Sequence, residues 1–161
     1  YRSQVQAIED YRPDFIIGDS SFPLKMAAEK TSTAFISLLN GYMSKYYRLT
    51  RKVSRYHPGY RYSRMMSQKV FGLLTRMMEY TAFRKIHEPF RLIRKEEGLS
   101  PQNYFLDELE GGVNLICDLP SLFPQKKLPP SYSFVGPLIY QDDQVENDVL
   151  DFIGGIRRRY W

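Results

Sequence analysis

Apolar residues fall in short blocks along this chain, and the spacing within each block predicts its element. Val5 and Ile8 lie three apart within Gln4–Tyr11, which puts them on one helical face. Pro13 ends that helix. Asp14-Phe-Ile-Ile-Gly18 is a continuous apolar run of the kind that suits a buried parallel strand. Ser20, Ser21 and Pro23 mark a helix start, and the helix is expected to run to about Lys30. Thr33–Leu39 then reads as a second strand. Strand, helix and strand at this spacing predict a right-handed βαβ unit.

Periodicity is lost from Tyr42 to Tyr62 and returns between Met65 and Glu97. There Val70, Leu73, Leu74, Met77, Met78, Phe83, Ile86, Phe90 and Ile93 recur at helical steps. Pro89 is expected to split this stretch into two helices, and Gly98 to cap its end. The Met-rich part, Val70 to Met78, is expected to face a core, although such a face can also form a binding groove. Ser100-Pro101 predicts a further short helix that stops at Gly111-Gly112. Val113–Cys117 reads as a third strand and Phe134-Val135 as a short fourth. The prolines at 120, 124, 129 and 130 stiffen the connection between them. Asp148 to Arg159 reads as a last helix weakened by Gly154-Gly155. The alternation predicts an α/β fold, a Rossmann-like parallel sheet with flanking helices.

A length of 161 residues fits one domain, and 43% hydrophobic with 25% charged residues is ordinary for a globular protein. The net charge of +5 invites anionic partners. Cys117 is alone, so it forms no internal disulfide and no cysteine metal set; no metal is called for. No apolar run approaches ~18 residues, so no membrane-spanning helix is expected. A cytoplasmic setting fits, with room for contact at the membrane periphery. The chain opens at Tyr1, in what reads as the end of a helix, which suggests a start further upstream.

Asp19 directly follows the first strand, at the end where open α/β sheets bind ligands. An aspartate there can equally be a turn residue. Asn40, Tyr42 and Tyr46 follow the second strand at the same end. They could line a pocket or simply form a turn with its rings packed on the domain. Lys45 to Lys69 carries Lys45, Arg48, Arg51, Lys52, Arg55, Arg61, Arg64 and Lys69 among five tyrosines, with no acidic residue. A solvated loop, a grip on an anionic membrane or lipid-linked ligand, and a nucleic-acid contact all fit this composition. His57 and His87 read as structural or surface residues, and Cys117 as an inert core thiol.

Two segments resemble one family. Arg12 to Lys30, with Pro13-Asp-Phe-Ile-Ile-Gly-Asp19 at its heart, is one. Asn114 to Pro124, resumed from Leu128 to Leu138 and ending in Val135-Gly-Pro-Leu138, is the other. Together they resemble the acceptor-side half of GT-B glycosyltransferases of the UDP-glycosyltransferase and macrolide-glycosyltransferase type. The resemblance implies part of a GT-B N-terminal domain over 1–140, incomplete at its own N-terminus. It implies a linker over 141–161 toward a missing donor-binding domain.

The activity implied is inverting transfer of a hexosyl group from a nucleotide sugar, by resemblance a UDP-sugar, to an acceptor hydroxyl. Asp19 matches the aspartate that orients the family's catalytic histidine; that base would lie upstream of Tyr1. The loop with Asn40, Tyr42 and Tyr46 matches one that lines the acceptor pocket. The acceptor would be a small molecule or a lipid. The resemblance favours lipid over nucleic acid for Lys45, Arg48, Arg51, Lys52 and Arg55. The chain alone would bind no cofactor and be inactive and aggregation-prone. The competing expectation is a non-enzymatic basic module on a membrane surface or nucleic acid.

Overall fold

The structure, a computed structural model, describes residues 1–49, Tyr56, Tyr60 and 65–138. Helix α1 (Arg2–Tyr11) ends where Arg12 turns left-handed at φ 46° and returns its N–H to the Ile8 carbonyl. Strand β1 (Phe15–Asp19), helix α2 (Phe22–Thr31) and strand β2 (Ala34–Leu39) follow. Ser21 is the N-cap of α2, with Pro23 in its first turn. Helix α3 (Gln68–Glu96), a 3-10 turn (Phe105–Leu109), β3 (Val113–Ile116) and β4 (Tyr132–Phe134) complete the described elements. The expected final helix over Asp148 to Arg159 lies outside the described residues.

The four strands are parallel and lie in the order β1-β2-β3-β4. Their register sorts the side chains into two faces. One carries Gly18, Ser37, Asn114 and Tyr132 in one row, followed by Leu39, Ile116 and Phe134 in the next. Helices and the 3-10 turn cover this face, and the core forms there from Leu39, Phe105, Leu106, Leu109, Ile116 and Tyr132. Close approach of α2 depends on Gly18, because a Cβ there would sit 2.7 Å from Leu24 Cδ2. The opposite face is apolar yet open. Phe15 and Ile17 are each 54% exposed and Val113 is 47% exposed.

Two expectations fail in α3. Pro89 does not divide it: the helix runs unbroken for 29 residues. Proline removes one backbone donor, but Pro89 lies on the exposed side, where water can satisfy the freed carbonyl. His87, Phe90 and Arg94, which face inward, hold the helix on either side of it. The Met-rich stripe is the second correction. Val70, Leu73, Leu74, Met77 and Met78 are exposed rather than core. Among the described residues α3 packs on the domain from Tyr80 onward, through Tyr80, Phe83, His87, Phe90 and Arg94. The helix expected from Ser100-Pro101 is the short 3-10 turn at Phe105–Leu109, and the fourth strand starts earlier, at Tyr132.

Candidate acceptor site

Asp19, Asn40, Tyr42 and Tyr46 all lie at or just past the C-terminal ends of the strands. β1 ends at Asp19, whose side chain shares the open face of the sheet with Leu38 and Leu115. Ser20 then takes a left-handed conformation, φ 47°, and donates its N–H to the Leu38 carbonyl at 3.2 Å. That turn swings the chain out of the sheet and leaves Asp19 exposed at its rim.

The loop after β2 is fixed from two sides. Gly41 donates its N–H to Asp118 Oδ2 at 2.6 Å, and its carbonyl accepts from Gln125 Nε2 at 2.8 Å. A Cβ at Gly41 would fall 2.5 Å from Phe123 Cβ, so glycine permits the contact between the two loops. Backbone bonds from Arg48 N–H to the Pro124 carbonyl (2.9 Å) and from Lys126 N–H to the Tyr46 carbonyl (2.7 Å) close the seam. The prolines that stiffen the β3–β4 connection thus give the β2 loop a rigid rail.

Within this frame Asn40 is exposed, and its Oδ1 accepts from Met43 N–H at 2.9 Å. Tyr42 remains partly open, with its ring 5.4 Å from that of Tyr47. Tyr46 turns inward, edge-on to Tyr132 at 5.1 Å against the core. Lys45 bonds Asp107 Oδ1 at 3.0 Å and Glu110 Oε2 at 2.7 Å. Arg48 is exposed. Arg51, Lys52, Arg55 and His57 lie outside the described residues.

Cys117 is half-buried just past β3. Burial pushes its thiol up, and the Asp19 and Asp118 carboxylates push the same way. Asp19 and Cys117 therefore share one electrostatic neighbourhood, although strand β2 lies between their backbones. Asp118 went unremarked in the sequence. The available signal was that Cys117-Asp118 repeats, after β3, the strand-end aspartate found after β1.

His87 lies elsewhere. It is buried, with Nε2 2.8 Å from Glu108 Oε1, in the 3-10 turn ahead of β3. No cluster of three or more His, Cys, Asp or Glu able to hold a metal occurs among the described residues. Among the same residues no helix is long and apolar enough to cross a membrane.

A carboxylate at a strand end thus stands beside a braced loop that presents an amide and a phenol. The chain is 24% identical over 140 residues to the PGL/p-HBAD biosynthesis rhamnosyltransferase of Mycobacterium bovis BCG, covering 86% of this chain and 30% of that protein. It is 24% identical over 138 residues to the PGL/p-HBAD biosynthesis glycosyltransferase of Mycobacterium tuberculosis, covering 84% and 31%. An inactive PGL/p-HBAD biosynthesis glycosyltransferase of M. bovis BCG matches equally, at 24% over 138 residues, covering 84% and 37%. No family model matches the chain. The chain spans about a third of the length of these curated relatives. Transferases and an inactive relative match it alike, so similarity in this stretch does not decide activity.

Proposed function

We propose that this chain is the acceptor-side part of a glycosyltransferase. The reaction is transfer of a hexosyl group from a nucleotide sugar, UDP-linked in the resemblance above, to an acceptor hydroxyl with inversion. The observation that carries this reading is similarity to proteins named as glycosyltransferases along 84–86% of the chain. The parallel sheet, with Asp19 at the C-terminal end of β1, supports it.

In this proposal Asp19 holds and charge-stabilises the imidazole of a histidine base. A carboxylate beside an imidazole fixes its tautomer and favours the cation formed when the acceptor proton is taken. Among the described residues His87 is committed to Glu108, and the resemblance assigns the base to another histidine, near the family's first strand. Asn40 and Tyr42 contact the acceptor, and Tyr46 shapes the pocket from behind through Tyr132. Lys45 is neutralised by Asp107 and Glu110 and anchors the loop. Arg48, Arg51, Lys52 and Arg55 then supply the contact to an anionic or lipid-borne acceptor. The chain itself binds no cofactor, and the donor belongs to a separate domain.

The test is sugar transfer by the full-length protein, assayed with a panel of nucleotide sugars and simple phenolic and alcoholic acceptors. The product's anomeric configuration is read by NMR. A glycoside of inverted configuration is expected. Retained configuration, or no transfer with any donor, rejects the reading.

A further inference from the structure

The first half of α3 is built unlike the rest of the molecule. Val70, Leu74 and Met77 lie at i, i+4 and i+7, with Leu73 and Met78 on either side, so five large apolar side chains form one stripe. Their exposures run from 39% for Leu74 to 63% for Leu73. Nothing described in the domain covers them, because inward packing begins only at Tyr80 and Phe83, on Tyr104 and Phe105. A stripe of this size in water marks a surface that meets something.

Charge says what it meets. Lys69 and Arg76 are exposed on α3, rotated from the stripe to its flank, where long stems can lie along an apolar layer while their charges stay in water. Further along the exposed side the charges are mixed, with Arg84, Lys85 and Lys95 beside Glu96 and with Arg91 paired to Glu88, so the carboxylate-free stretch is the part that carries the stripe. The sequence contains no Asp or Glu between Glu29 and Glu79, while Lys45 to Met78 holds nine Lys and Arg. An apolar stripe bordered by cations and free of carboxylates matches an interface with apolar chains beneath anionic headgroups. An acidic protein groove would match the cations, but it would not use five large aliphatic and Met side chains left this open.

We infer that the first half of α3 lies on an anionic lipid bilayer, with Leu73, Leu74 and Met77 dipping among the acyl chains and Lys69 and Arg76 at the headgroups. This deepens the anion-contact part of the proposed function by naming the surface and the element that meets it. It does not depend on sugar transfer.

The experiment is co-sedimentation of the full-length protein with vesicles of phosphatidylcholine alone or mixed with phosphatidylglycerol. Circular dichroism and size-exclusion chromatography monitor each variant, and transfer to a water-soluble acceptor is measured alongside. Binding to the mixed vesicles is expected to exceed binding to phosphatidylcholine by ~10-fold or more and to weaken with salt. The pair Leu73→Asp and Met77→Asp is expected to abolish it with helicity unchanged, and Lys69→Glu with Arg76→Glu to weaken it ~10-fold. Unaltered binding by either pair overturns the inference. So does equal binding to both vesicle types, or a wild-type dimer that Met77→Asp converts to a monomer. Vesicle binding without transfer would reject the transferase reading and leave this one standing; transfer without vesicle binding would do the reverse.

Discussion

Arg94 grips Glu108 with two parallel bonds, Nε to Oε1 at 2.7 Å and Nη2 to Oε2 at 2.6 Å, and the two side chains are 1% and 0% exposed. Glu29 takes Nη1 at 2.6 Å, the Ser100 carbonyl takes the same nitrogen at 2.8 Å, and His87 holds Glu108 from the other side. One guanidinium thereby ties α3 to α2 and to the turn that leads into β3. Its partners hold the Arg94 guanidinium above its ordinary range despite burial, so it stays charged at every accessible pH.

Removing one partner of such a pair strands the other. Arg94→Met leaves the Glu108 carboxylate buried without its cation and is expected to cost about 3–5 kcal/mol. Arg94→Met combined with Glu108→Leu is expected to recover much of that loss. Urea denaturation of the full-length protein checks both. Equal loss in the single and double variants would contradict a buried ion pair at this position.

The thiol of Cys117 reports on Asp19. Burial first, and the Asp19 and Asp118 carboxylates after it, raise the thiol above its ordinary value. Alkylation by iodoacetamide is therefore expected to be slow at pH ~8 and to accelerate only at higher pH. Asp19→Asn removes one of the raising charges, so the thiol ionises earlier and labelling at fixed pH rises. The linkage has a definite sign. The thiol ionises more readily in the unfolded chain than in the fold, so its contribution to stability is lost as pH climbs above the unfolded thiol value. An unchanged labelling rate in Asp19→Asn would place the carboxylate away from Cys117.

Gly41→Ala tests the seam between the two loops. The added methyl meets Phe123 Cβ at 2.5 Å. The β2 loop must move, at a cost of about 1–3 kcal/mol, and Gly41 loses its alignment with Asp118. Stability and the Michaelis constant for acceptor are both expected to worsen. A neutral result in both would remove this loop from the site.

The open face of the sheet makes a prediction for the isolated 161 residues. Phe15, Ile17 and Val113 face water, and among the described residues β1 pairs on one side alone. The isolated segment is expected to bind anilinonaphthalene sulfonate, aggregate at micromolar concentration and transfer no sugar. Ile17→Lys with Val113→Lys is expected to reduce the aggregation. A monodisperse segment that binds no dye would contradict exposure of this face.

Much of this architecture was legible in the chain. Apolar runs bounded by Ser, Pro and Gly located β1, α2, β2 and β3 to within a residue or two, because parallel strands buried by helices need such runs. Local signals failed where tertiary context decided. Proline rules would break α3 at Pro89, but packing on both sides carries the helix through. The Met-rich stripe repeats like a core face and has no core to meet. The Arg94–Glu108 pair has no signal in the sequence, since a sequence does not show that each buries the other. At the candidate site, Asp19 and the loop after β2 were legible from the strand-end rule. The bracing by Asp118 and Gln125 was not, because it joins residues about eighty positions apart.

The central claim rests on Asp19, and turnover of the full-length protein with Asp19→Asn tests it most directly. Asparagine keeps the shape and removes the charge that stabilises an imidazolium. The turnover number is expected to fall by ~100-fold or more, with the Michaelis constant for acceptor and the vesicle binding little changed. Full turnover in Asp19→Asn would contradict the assignment and leave the C-terminal end of β1 without a catalytic role.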